Sequence, residues 1–269
     1  DVRIGDTVVV QRAGDVIPEI VSVIIEKRPK DSELYEFPKK CPVCHTKAIQ
    51  EEDEAVPRCP NSTCDAQVKE GIAHFASKDA MDIDGLGYKI VEHLVDVKLI
   101  SNCADLYRLE KKDLLKLEGF KEKSSQNLID SIESSKTRPL NRLIYGLGIR
   151  HVGEKLAKVL ANQFGSLKRI SSATEQELED VHEIGPQVAK SIIEWFSQKS
   201  HLKLISDLLE LGVEPKESAK PAGDGKLKGL SIVVTGTLEK LSRSQAHELI
   251  EANGGSVGSA VTKKTSFLV

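Results

Sequence analysis

Two patterns in this 269-residue chain could do chemistry, and both are patterns of spacing. The first is sulfur. Cys41-Pro42-Val43-Cys44 and Cys59-Pro60-Asn61-Ser62-Thr63-Cys64 give C-x2-C, fourteen residues, then C-x4-C. Each short pair can clasp one side of a tetrahedral ion, and the ribbon between them brings the pairs together. Four thiolates fill the shell. The expected ion is therefore structural zinc on Cys41, Cys44, Cys59 and Cys64, with no position open to a reacting group. His45, beside Cys44, is the alternative ligand. The spacing does not suit a ferredoxin-type iron–sulfur cluster. Apolar residues occur only at Val43, Ala48, Ile49, Ala55 and Val56, too few for so short and charged a segment to fold without a staple.

The second pattern is a phrase that appears four times: Asp84-Gly85-Leu86-Gly87, Glu118-Gly119-Phe120-Lys121, Arg150-His151-Val152-Gly153 and Glu183-Ile184-Gly185-Pro186. Its hydrophobes Leu86, Phe120, Val152 and Ile184 lie 34, 32 and 32 residues apart, the period of a repeated supersecondary unit. Downstream of each phrase the apolar residues keep helical spacing, as in Ile90, Val91 and Leu94 or Val188, Ile192 and Ile193. The unit thus reads as helix, tight hairpin, helix. Glycine there permits positive φ and close approach of the backbone, and the following helix N-terminus favours an anion, most simply a phosphate. Candidate contacts are Gly85, Gly87, Lys89, Gly119, Lys121, Lys123, Arg150, His151, Gly153, Lys155, Gly185 and Lys190. The third and fourth copies lack the first glycine. The competing reading is an αα-hairpin repeat whose glycines only make turns.

Other elements must position these groups. Residues 1–38 carry β-branched runs at Thr7–Gln11 and Ile20–Ile25, with turn chemistry from Arg12 to Pro18. Two or three strands cannot form a stable domain alone, so a partial barrel is expected. Residues 71–215 hold the repeat, where Cys103, Trp195 and Phe196 read as core. Residues 216–226 have linker composition. From residue 227 follow a strand at Leu230–Leu238, a helix opened by a Ser242 N-cap, a C-cap at Asn253-Gly254-Gly255, and a strand pair at Ser256-Val257 and Ser266–Val269.

Composition sets bounds. At net charge −3 no global basic field draws the chain to nucleic acid, so contacts must come from local patches and oriented amides. Aromatics at 4% argue against a base-stacking platform. Five cysteines, four in a metal pattern, point to a reducing compartment. No apolar run of membrane-spanning length occurs. The opening Asp1-Val2-Arg3 shows no secretory signal, and both ends read as cuts within a longer protein.

The repeats resemble helix-hairpin-helix motifs, which hold nucleic-acid backbone without reading sequence. The phrase Ile4 to Pro18 resembles the oligonucleotide-binding (OB) barrel of bacterial NAD-dependent DNA ligases, and in that reading Arg12 faces DNA. Strand, Thr235-Gly236, helix, Gly-Gly and strand resemble the first half of a BRCT domain. Together with Leu147 to Lys155 and the cysteine spacing, the order resembles the C-terminal half of that ligase family. The implied organisation is multidomain and mainly α: OB remnant 1–38, four-cysteine zinc finger 39–70, helix-hairpin-helix domain 71–215, linker 216–226 and truncated α/β BRCT domain 227–269. The implied function is holding nicked duplex DNA during replication and repair, in the bacterial cytoplasm at the nucleoid, as a monomer. The full enzyme would use NAD and Mg²⁺ beside this zinc. The family's adenylated Lys-x-Asp-Gly phrase has no copy here: the nearest text, Met81-Asp82-Ile83-Asp84-Gly85, has Asp82 where the lysine should stand. This chain alone should then be inactive. One rival reading is a non-catalytic DNA-binding adaptor of a repair complex. Another is a helix-hairpin-helix glycosylase, for which neither a base pocket nor an iron–sulfur pattern is evident.

Overall fold

The computed structural model describes residues 2–14, 17–50, 56–215, 225–236, 238, 241, 246–247, 249–250, 253–258, 260–262 and 265–269. Several expectations fall outside these residues: Asp15 and Val16 of the β-turn, Ala55, most of the linker, and the Ser242–Gln245 helix start. The architecture is multidomain and mainly helical, in two compact units, residues 1–67 and 68–269.

In the first unit, β1 (Val8–Ala13) and β2 (Ile17–Val23) form an antiparallel ribbon. A register shift between Val9 and Val10 marks a bulge. Two expectations are corrected here. Arg12 is not in the turn; it pairs with Pro18 inside the ribbon. The second strand does not reach Ile25, because Ile25–Lys27 coil into a 3-10 turn. That turn brings Arg28 onto Asp6, at 2.8 Å, and holds the Asp6 carboxyl down at about 2. The aliphatic side chains of the ribbon stay largely exposed, Val10 at 53% and Ile17 at 67%.

Helix α1 (Asp65–Ala76) starts in the last residues of the first unit and continues into the second, whose hydrophobic core runs from Ile72 to Val213. The repeat is built of α2 (Tyr88–Asp96), α3 (Lys111–Leu114), α4 (Glu122–Ser135), α5 (Leu140–Gly146), α6 (Glu154–Phe164), α7 (Leu167–Ser171), α8 (Glu175–Glu179) and α9 (Pro186–Ser197), with α10 (Lys199–Glu210) behind. Local chemistry sets the helix ends. Thr174 and Glu177 cap α8 reciprocally, Pro186 opens α9, and Gly165 closes α6 at φ 72°. One face of each hairpin helix is apolar and buried: Val91, Leu94 and Val95 on α2; Ala157, Leu160 and Ala161 on α6; Ala189, Ile192 and Trp195 on α9. Gly146 lets α5 lie close to α1, since a Cβ there would meet Phe75 and Ala80 at 3.3 Å. Cys103 is a buried hydrophobe, its thiol pushed up to about 12 by burial. Trp195 stacks on His201 at 4.2 Å within the core.

Residues 231–269 contain a parallel sheet in the order β4 (Ser256–Gly258), β3 (Ser231–Val233), β5 (Phe267–Leu268). The central strand is shorter than the Leu230–Leu238 run suggested. Ala246 and Ile250, both helical, pack on Ile232 and Val234.

Candidate nucleic-acid interface and metal centre

The metal ligands come from two backbone knuckles. In the first, the His45 N–H donates to the Cys41 carbonyl at 3.0 Å, and the Cys41 N–H donates to the Thr46 carbonyl at 2.8 Å. His45 takes φ 57° to close that turn, and its ring is not among the clustered ligand atoms. In the second, the Cys64 N–H donates to the Asn61 carbonyl at 3.1 Å, directly before α1. Mutual hydrogen bonds between Ile49 and Arg58 tie the intervening ribbon. The four sulfurs lie within 4.8 Å of one another, with Cys41 and Cys64 3.8 Å apart and Cys44 and Cys59 3.5 Å apart. Four Zn–S bonds of about 2.3 Å in a tetrahedron require S···S of about 3.8 Å, so the cluster fits zinc. Local hydrogen bonds, burial and mutual crowding split the thiols. The Thr46 hydroxyl, 3.2 Å away, helps bring Cys44 down to about 5. Cys59 rises to about 12: a hydrogen bond from the Asn61 backbone lowers it, but burial and the neighbouring Cys44 and Cys41 thiols outweigh that. A divalent cation among them would hold all four as thiolates.

The four hairpins share one backbone geometry. The residue before each central hydrophobe is left-handed: Gly85 at φ 82°, Gly119 at 86°, His151 at 64° and Glu183 at 81°. The two copies without the first glycine therefore make the same turn with side chains that ordinarily avoid it. The hydrophobe then plugs the core, with Leu86, Val152 and Ile184 buried and Phe120 half-buried. One residue later comes the extended helix N-cap: Gly87, Lys121, Gly153 and Gly185. The glycine caps supply no capping side chain, and a Cβ built on Gly87, Gly153 or Gly185 would meet nothing within 4 Å. First-turn N–H groups left without a capping side chain are what an incoming anion needs. The second hairpin differs, because its Lys121 N–H donates to the Ser124 hydroxyl at 2.9 Å.

With the hydrophobes aligned, Lys89, Lys123 and Lys155 occupy the same second helical position, and all three are exposed. Lys121 is a cap. Lys190 sits a turn further on, 3.8 Å from Glu194. Arg150 is half-buried and His151 exposed. Arg12 is exposed on the ribbon of the first unit. The hairpins pair off. Asp84, Gly85, Glu118, Gly119 and Phe120 line one cavity of about 350 Å³, while Lys155 and Glu183 join the third hairpin to the fourth at 2.6 Å.

Some residues that shape the site gave no sequence signal. Arg138 donates to the Met81 carbonyl at 3.2 Å and pairs with Asp82 at 2.7 Å; Arg142 donates to the carbonyls of Ala80 and Lys78. These arginines hold the backbone leading into the first hairpin. Asp82, at φ 51°, is part of that clamp. Ser124 was equally silent, whereas Glu183 could have been found by aligning the four hydrophobes.

Comparison with known proteins gives a consistent series. Residues 1–32 match the NAD-dependent DNA ligase OB-fold domain and residues 40–66 the NAD-dependent DNA ligase C4 zinc finger domain. Residues 77–134 match a SAM-like helix-hairpin-helix tandem, residues 142–205 a helix-hairpin-helix motif, and residues 223–269 the BRCA1 C Terminus (BRCT) domain. The two helical matches divide the hairpins into the same pairs as the geometry does. The chain is 46% identical over its whole length to a DNA ligase of Geobacter metallireducens and 47% identical to one of Pelotomaculum thermopropionicum. A DNA ligase of Syntrophotalea carbinolica is 48% identical. The chain spans 40% of the length of each of these relatives.

Proposed function

We propose that this chain, which carries the domain series of the NAD-dependent DNA ligases, is the part of such an enzyme that holds nicked duplex DNA. The carrying observation is the shared hairpin geometry: four left-handed turns, each two residues before a helix N-cap, with lysine at one position of three helices. Amides and lysines so placed grip phosphates and carry no base information. Zinc is structural in this reading and contributes no chemical step. The metal module orders the chain entering α1, and the hairpins hold the backbone.

Strand sealing, with NAD as adenylate donor and Mg²⁺ as metal, belongs in this reading to the portion of the relatives that the chain does not span. The expected setting is replication and repair in the cytoplasm, acting as a monomer. The sequence supplies no Lys-x-Asp-Gly. Incubation with labelled NAD should therefore leave the protein unlabelled. An adaptor role is the rival reading. Adding the remaining part of a relative in trans separates the two: recovery of weak nick sealing supports the ligase reading, and none supports the adaptor.

DNA binding itself is tested by salt. If each hairpin neutralises one or two phosphates, log K against log salt should have a slope of about −4 to −7, similar for unrelated sequences. A slope near zero would mean that the helices scaffold some other partner.

A further inference from the structure

We propose that Glu183 is a built-in brake on backbone binding by the third and fourth hairpins; this rests on the DNA-holding reading above. In the aligned repeat Glu183 stands where Gly85 and Gly119 stand, and it holds the same left-handed conformation at φ 81°. A glycine there would make the turn without strain. What the glutamate adds is a carboxylate at the mouth of an anion site. That carboxylate lies 2.6 Å from the Lys155 ammonium. Lys155 is the third member of the exposed lysine set Lys89, Lys123 and Lys155, and it alone of the three has an ion-pair partner among the described residues.

The rest of the fourth hairpin points the same way. Pro186 opens α9 and has no N–H to offer a phosphate. Gln187 stands at the position of the three lysines. A phosphate approaching this pair of hairpins must displace one carboxylate from Lys155 and tolerate it nearby. The first pair carries carboxylates too, Asp84 and Glu118, but each lies one residue earlier. The Asp84 carboxylate accepts from the Gly85 N–H at 3.0 Å, so it caps its own turn. The grip is thus graded, firmer at the first pair and weaker at the second.

The test uses the chain with Glu183→Gly, Glu183→Gln and the double variant Glu183→Gly/Lys155→Ala. Binding to a labelled nicked duplex is read by fluorescence anisotropy across a salt series, and folding by circular dichroism. Freeing one phosphate contact should steepen the slope by about 0.9, which at about 50 mM salt tightens binding by roughly tenfold. Glu183→Gln keeps the strained backbone and loses the charge, so most of the gain should appear in it as well. The double variant should lose the gain, because Lys155 delivers it. Wild-type slope and affinity in both single variants, on DNA that the parent chain does bind, would overturn the brake. A gain that survives in the double variant would overturn the role of Lys155. A parent chain with no salt-dependent binding would instead sink the DNA-holding reading.

Discussion

Placing one carboxylate at Gly87 or at Gly119 separates folding from binding, because the two glycines do different jobs. Gly87 is the N-cap of α2 at φ −75° and ψ 164°, a conformation open to any residue, with free space where a Cβ would be. Asp is a better N-cap than Gly, so Gly87→Asp should raise stability by a few tenths of a kcal/mol, roughly 0.3. Gly119 sits at φ 86°, so Gly119→Asp forces a side chain into the left-handed region and should cost about 1 kcal/mol. For binding, the two variants agree. A carboxylate about 5 Å from a phosphate oxygen is repelled by roughly 1 kcal/mol at water's dielectric and roughly 3 at an effective dielectric of about 20. Affinity should fall about 5- to 150-fold in both, on any DNA sequence. Thermal melting followed by circular dichroism gives stability, and anisotropy on two unrelated duplexes gives affinity. The decisive variant is Gly87→Asp: more stable, yet weaker on DNA. If it binds as tightly as the parent, the hairpin amides do not face phosphate and the alternative turn-only reading of the glycines stands.

Metal analysis should find one zinc per chain, and Cys64→Ser should lose it while the helical circular dichroism signal persists; iron, or a well-folded first unit without metal, would refute the assignment. Acid should loosen the helical unit through Arg108, which lies 2.7 Å from Asp105 and 3.3 Å from Asp207. Both carboxyls are held below their usual 3.8, Asp105 because hydrogen bonds from Ser101 and the Arg108 contact outweigh its partial burial, Asp207 chiefly by Lys203. A carboxyl with a lowered folded pKa contributes stability above its unfolded pKa and loses it as pH falls through the folded one. The melting temperature should therefore be level above about pH 5 and drop below about pH 4, and Arg108→Met should shrink that drop; an equal drop in the variant would exclude Arg108 as its source.

The parts of this structure legible from sequence are those governed by short spacing. The cysteine pairs and the 34-, 32- and 32-residue period are local signals, and the fold kept both. Helix positions followed for the same reason: each apolar stripe reports its own buried face. Conformation was less legible than position. His151 and Glu183 take the turn of a glycine because the buried Val152 and Ile184 beside them pin the backbone, and that tertiary demand overrides local preference. The Arg138 and Arg142 clamp spans 56 to 64 residues, too far for any local pattern to show it. The β1–β2 ribbon gave up a strand end to a 3-10 turn because Arg28 had to reach Asp6, again a contact with no sequence signature.

The uneven distribution of interior across the chain has a consequence for how it tolerates change. In residues 1–67, Cys41 and Cys64 are the buried residues among those described. The familiar scale, in which trimming a buried Leu or Ile to Ala costs about 2 to 5 kcal/mol, has no site to act on there. Among the described residues of the first unit, a saturation scan would be shallow except at the four cysteines and at the buried Asp6 carboxylate that Arg28 pairs. Past Val68 the profile would become jagged with helical periodicity, tall at Phe75, Leu94, Leu143 and Leu160. One polypeptide would show two kinds of fragility: one set by coordination and all-or-none, the other set by packing and graded.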